Sequence, residues 1–237
     1  MRAVPVVPNH DVGWTVTDAI LVLLGTQVLS IIWASVALSA NGGGKLPSPL
    51  PINQLLLLSA ALWVGYGLGP IWVARSKGKG PVADFGARVI PIDIPVGLVL
   101  GVVTQLVVLP ILYVPVGWFT DRDPSESARE LIDGIDGWSQ ALLLVLATVV
   151  IAPLAEELAY RGLLLRALHR RYGAGVGVVV SAVVFALVHR DPILFPGLIL
   201  FGAVAAGLAL LSGRLGPSWA FHVGFNATTV ALLSLAP

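Results

Sequence analysis

Ala141-Leu142-Leu143-Leu144-Val145-Leu146-Ala147-Thr148-Val149-Val150-Ile151-Ala152-Pro153-Leu154 runs without a charge into Ala155-Glu156-Glu157-Leu158-Ala159-Tyr160-Arg161, and Leu163, Leu164 and Leu165 carry the apolar pattern onward. A helix needs about 20 apolar residues to cross a bilayer. The paired acids are therefore either the watery end of a span or charges held within a membrane, and the leucines beyond them favour the second reading. A charge at the centre of a bilayer costs at least ~2.5–3.5 kcal/mol on insertion scales, so such residues are functional candidates by default.

The rest of the chain fits that reading. It has 237 residues, 57% hydrophobic and 11% charged, whereas a soluble domain carries about 25% charged residues. The net charge of +1 gives no footprint for nucleic acid. With no cysteine, disulfides, thiolate nucleophiles and Cys-ligated metals are excluded. Apolar segments recur near 14–39, 52–74, 94–117, 139–160, 174–189, 193–212 and 217–236. The expected fold is an all-α polytopic membrane bundle of about seven transmembrane helices. The fifth segment is short for a span, and Pro110 with Pro115 allows an eighth short helix by breaking the third. The first run, Trp14 to Ala40, exceeds the roughly 7–15 residue core of a signal peptide and reads as a span. Small residues at Ala37 and Ser39 leave a cleavage alternative.

Between the spans, the stretch from Asn41-Gly42-Gly43-Gly44 to Pro51 is a turn-rich connector. Arg75, Lys77 and Lys79 form a basic loop with Gly78 and Gly80, and Asp93 before Pro95 marks a helix start. Residues 121–136 hold six of the 13 acidic residues and suit a short amphipathic surface helix. Gly65 with Gly69, and Gly97 with Gly101, are GxxxG pairs that read as chance or plain packing. With the N-terminus inside, Arg2, Arg75, Lys77, Lys79, Arg88, Arg166, Arg170, Arg171 and Arg214 flank the cytoplasmic side, against Lys45, Arg122, Arg129 and Arg190 outside. Basic residues favour the inside, so the expectation is a multi-pass cytoplasmic-membrane protein with its N-terminus in and its C-terminus out.

Three clusters carry the candidate chemistry. Glu157 and Arg161 are i and i+4, so they share a helix face with the acid placed N-terminally, as such pairs prefer. Glu156 lies about 100° round the helix and is left to point into a cavity. Neighbouring carboxylates in a low dielectric push one pKa upward, which suits a general base. The second cluster is Phe185 with His189; alone, a histidine at a span end is as well explained as an interfacial residue. The third is His222 with Asn226, again i and i+4 in an apolar helix, with packing as the alternative role. Glu156 lies 17 residues before Gly173 and His189 lies 16 after it. In a helical hairpin turning at Gly173 both sit roughly 24–26 Å from the turn, at equal depth.

Glu156-Glu157-x-x-x-Arg161, Phe185-x-x-x-His189 and His222-x-x-x-Asn226, in that order, resemble the CPBP family, the CAAX-processing and bacteriocin-processing (Abi) membrane proteins that include Rce1-type prenyl-protein endopeptidases. The resemblance covers about 139–230, and Tyr160 stands where the family often has Phe. It divides one membrane domain into N-terminal helices with the acidic loop, 1–138, and a catalytic helix core, 139–237. It implies an intramembrane endopeptidase acting on a membrane-associated or CAAX-like protein or peptide, in contact with membrane lipid. Glu156 would activate water with help from His189, Glu157 would be the second acid paired with Arg161, His222 and Asn226 would stabilise the oxyanion, and Phe185 would be structural. The family has been described both as metalloproteases and as glutamate peptidases. One zinc, held by Glu156, His189 and His222, is therefore open beside a metal-free site. No HExxH is present and Asn226 is a poor zinc ligand, so the metal-free reading is preferred. The rival functions are a non-catalytic membrane scaffold or bacteriocin self-immunity protein of the same fold, and a transporter with a proton relay.

Overall fold

The computed structural model describes residues 12–40 and 51–235. The Gly-rich connector beginning at Asn41, and the basic residues Arg2 and Lys45, lie outside the described residues. In hydrocarbon a backbone must satisfy its own hydrogen bonds, so uninterrupted apolar runs fold as helices. They do so here at each predicted position. α1 is Val16–Ala40, α2 is Ile52–Lys77, and a short α3, Pro81–Phe85, follows. α4 runs Asp93–Trp118, the acidic segment forms α5, Glu126–Asp133, and α6 runs Trp138–Tyr172. α7 (Ala174–Leu187), α8 (Phe195–Ser212) and α9 (Gly216–Leu235) complete the bundle, and no described residue lies in a strand.

By length and composition α1, α2, α4, α6 and Pro192–Ser212, which is α8 with its leading 3₁₀ turn, can cross a membrane. α7 has only 14 residues, about 21 Å of helix. α9 has 20 residues but carries Ser218, His222, Asn226, Thr228 and Thr229 along its length. The seven segments α1, α2, α4, α6, α7, α8 and α9 alternate in direction, and contacts at the two ends fix this. At one end Gly13 N donates to Lys77 O at 2.7 Å and Leu215 N to Gly86 O at 2.8 Å. There too Lys77 pairs with Asp18, Arg214 Nε donates to Asp93 at 2.9 Å, and Arg170 Nη2 donates to Trp14 O at 2.9 Å. At the other end Arg122 approaches Asp191 at 3.9 Å.

Pro110 does not break α4, so no eighth span forms there. Proline removes an N–H donor and its ring crowds the carbonyl four residues back. α4 widens into a π-helical turn, Thr104–Val108, directly before Leu109-Pro110, which relieves that crowding. α4 then ends in a 3₁₀ turn, Val116–Trp118, just after Pro115. α6 repeats the arrangement, with π-helical Leu146–Ile151 before Ala152-Pro153. A second π segment in α6, Glu157–Leu164, starts at the second glutamate.

Both GxxxG pairs are packing seams. A Cβ at Gly65 would stand 2.5 Å from the Thr26 side chain and one at Gly69 2.8 Å from Val22, so α2 lies close on α1. A Cβ at Gly97 would meet Ala220 Cβ at 2.5 Å, one at Gly101 would meet Phe221 O at 2.3 Å, and one at Gly224 would meet Leu98 O at 2.7 Å. Glycine on both sides thus brings the backbones of α4 and α9 together and fixes the height and rotation of α9. Packing crosses residue 138: one core contains Tyr66 of α2, Tyr160 of α6, Phe185 of α7, Phe201 of α8 and Phe221 of α9. Leu21 and Leu24 of α1 and Trp72 of α2 face outward, as expected of helices bathed in lipid.

Candidate active site

α6 supplies both glutamates. Glu157 is enclosed, and Arg161 Nη1 stands 3.2 Å from its Oε1, with both side chains 1% exposed. A buried guanidinium is costly unless its charge is compensated. Beyond the carboxylate, it lies 4.5 Å above the Phe185 ring and 5.5 Å from that of Phe201, where the π faces attract a cation. Glu156, one residue earlier, keeps 16% of its side chain exposed and no arginine pairs with it among the described residues. Adjacent carboxylates of one sequence motif therefore occupy opposite settings.

α9 brings a histidine to both of them. His222 Nδ1 lies 3.1 Å from Glu157 Oε1, and its Nε2 lies 3.8 Å from Glu156 Oε2. An ionised carboxylate only accepts, so Nδ1 carries the proton in this contact. One turn along, Asn226 Nδ2 donates to the Thr148 carbonyl at 2.8 Å, within the first π segment of α6. The i, i+4 face of α9 is thus turned toward α6, away from lipid. The Asn226 amide keeps a second N–H for other partners.

α7 contributes Phe185 and His189. Phe185 is fully enclosed and lies at the centre of the cluster, with ring centroids 5.1 Å from Tyr160, 5.5 Å from Phe201 and 6.2 Å from His222. His189 sits just beyond the end of α7, exposed, with its ring 4.8 Å from Phe185. Its Nδ1 is 2.7 Å from the Phe185 carbonyl. A carbonyl can only accept, so Nδ1 is the protonated nitrogen and Nε2 of the neutral ring offers a lone pair. Glu156, Glu157, Arg161, Phe185 and His222 are therefore gathered in one place. His189 adjoins them through Phe185, without a hydrogen bond to Glu156 among the described residues.

Two contributors were not singled out in the sequence. Tyr66, 1% exposed, accepts from Tyr160 Oη at 2.8 Å and from Gln27 Nε2 at 2.7 Å. This chain of polar groups ties α1, α2 and α6 together behind the paired acids. Phe201 of α8 stacks on Phe221 at 4.9 Å and meets His222 edge-on at 4.6 Å. The available signal was a polar hydroxyl at Tyr66 inside an apolar run, flanked by Gly65 and Gly67.

Among the described residues no group of three or more His, Asp or Glu side chains stands together as metal ligands. His222 directs Nδ1 to Glu157, and His189 directs Nδ1 to a backbone carbonyl.

Residues 138–228 match the family model Rce1-like, described as type II CAAX prenyl endopeptidase Rce1-like. No curated protein and no solved structure matches the chain. The matched segment spans α6 to α9 and contains every motif residue named above. With a helical bundle built for a membrane, it supports an intramembrane protease of CAAX type, for which a protein or peptide is the substrate.

Proposed function

We propose that this chain, Rce1-like over residues 138–228, hydrolyses a peptide bond of a membrane-associated or CAAX-like substrate with water activated by Glu156. The observation that carries the reading is the division of roles between two neighbouring acids. Glu157 is neutralised by Arg161 and hydrogen-bonded by His222, while Glu156 remains partly exposed beside His222 Nε2. Glu156 takes a proton from water as the water oxygen attacks the scissile carbonyl carbon. Nε2 of His189 is free to accept a hydrogen bond from the same water. The tetrahedral oxyanion is stabilised by N–H donors on α9, the second Asn226 N–H and His222 Nε2 bearing a proton taken up from solvent before attack and kept through the cycle. Collapse breaks the C–N bond, and Glu156 returns the proton to the leaving amine. Carboxylate and amine products balance the water consumed, and no step is routed through a metal.

The test is turnover of a fluorogenic CAAX-like peptide by purified protein in lipid nanodiscs. Glu156→Gln keeps the size of the side chain but cannot take the proton, so the expected result is loss of at least about 100-fold in kcat with unchanged thermal stability. Wild-type turnover is expected to survive a zinc chelator. Undiminished cleavage by Glu156→Gln would remove Glu156 as the base. Cleavage abolished by chelator and restored by zinc would replace the metal-free route.

A further inference from the structure

Arg166 is 0% exposed, yet none of its three guanidinium nitrogens has a hydrogen-bond partner among the described residues. One turn on in α6, His169 Nδ1 is also buried and, among the described residues, without a partner. Arg166, His169 and Arg170 stand at i, i+3 and i+4 in the helical stretch Leu165–Tyr172, so they share one face. Arg170 is engaged, its guanidinium 3.5 Å over the Trp14 ring and its Nη2 on the Trp14 carbonyl. The neighbouring acid, Asp84, receives Trp14 Nε1 at 3.3 Å and Lys79 N at 3.0 Å. Arginine stays charged in proteins. Removing an uncompensated guanidinium from water is among the costliest events in folding, and the charge of Arg170 adds to that cost.

The structure assigns to Arg166 and His169 a binding site for a phosphate oxyanion. A planar fork of donors with an imidazole N–H beside it matches the several acceptor oxygens of a phosphate. The site lies at the end of the bundle where Lys77, Lys79, Arg88, Arg170, Arg171 and Arg214 collect, and His169 is only partly buried. This is the end that would face a layer of lipid headgroups. The phosphate belongs to an anionic lipid headgroup or is free in solution. The site is about ten residues along α6 from the paired glutamates and does not depend on their chemistry.

The experiment follows thermal unfolding by tryptophan fluorescence. Delipidated full-length protein in neutral detergent is titrated in phosphate-free buffer with inorganic phosphate, a short-chain phosphatidic acid, and the matching diacylglycerol. The melting temperature should rise with phosphatidic acid and stay constant with diacylglycerol. An equal rise with inorganic phosphate identifies the free anion as the ligand; a rise with phosphatidic acid alone identifies the headgroup. Arg166→Met should shift the half-saturating concentration upward at least about tenfold, the worth of a lost charge-assisted hydrogen bond. His169→Leu should shift it in the same direction, and it serves as the readout should Arg166→Met fail to fold. No response of the wild type to either phosphate species, or an unshifted titration in the folded variants, overturns the site.

Discussion

At the scale of single residues, the charge pair of α6 was legible because its signal is local. Glu157 and Arg161 are four apart, and that spacing alone puts them on one face. Their enclosure was not legible, since it comes from Phe185, Phe201 and His222, which lie on three other helices, α7, α8 and α9. The Tyr66–Tyr160 hydrogen bond joins residues 94 apart, and nothing local to Tyr66 names its partner. Removing one partner of a buried pair strands the other, typically at about 3–5 kcal/mol. Arg161→Ala should therefore lower the melting temperature in detergent strongly, whereas Glu156→Gln should not, because Glu156 is partly exposed and unpaired with arginine. Equal melting of Arg161→Ala and wild type would show that the pair is solvated.

At the scale of elements, hydropathy found the helices, and proline gave the only hint of their irregularities. α- and π-helical turns bury the same residue types, so the segments Thr104–Val108, Leu146–Ile151 and Glu157–Leu164 were invisible to the pattern. The glycine pairs were visible but their partners were not; only the bundle shows that Gly97 and Gly101 receive α9. That seam sets where His222 and Asn226 stand. Gly101→Val should cost about 1–3 kcal/mol through overpacking and, in whatever fraction folds, reduce turnover by displacing α9. Gly207→Ala, with open space around its Cβ position, is the control and should melt like wild type or slightly higher. A fully active, equally stable Gly101→Val would show that α9 is not held by this contact.

At the scale of the whole molecule, the seven alternating helical segments were readable from composition, and five of them are long and apolar enough to cross a membrane. The contacts at the two ends add what counting could not: the chain near Gly13, Lys77, Asp93, Arg170 and Arg214 meets at one end, and Asp191 meets Arg122 at the other. Orientation relative to the cell is a separate matter that charge alone addresses. The cysteine-free chain offers a direct measurement. Lys79→Cys and Gly175→Cys, the first exposed and the second without neighbours around its Cβ, should resist an impermeant thiol reagent in intact cells. Asp136→Cys, exposed near the acidic helix, should react. The reverse pattern would invert the topology.

The odd number of alternating segments constrains engineering of the molecule as a unit. Trp14 lies at the end where Lys77 and Arg170 meet, and α9 carries the chain away from that end to Leu235. A head-to-tail tandem of two copies joined by a short flexible linker would force the second copy to insert upside down. A tandem with both copies upright needs a linker that is itself a membrane-crossing helix of about 20 apolar residues. Tandems built both ways should differ accordingly in intact cells: Lys79→Cys in the second copy should react with an impermeant thiol reagent when the linker is flexible and resist it when the linker is helical.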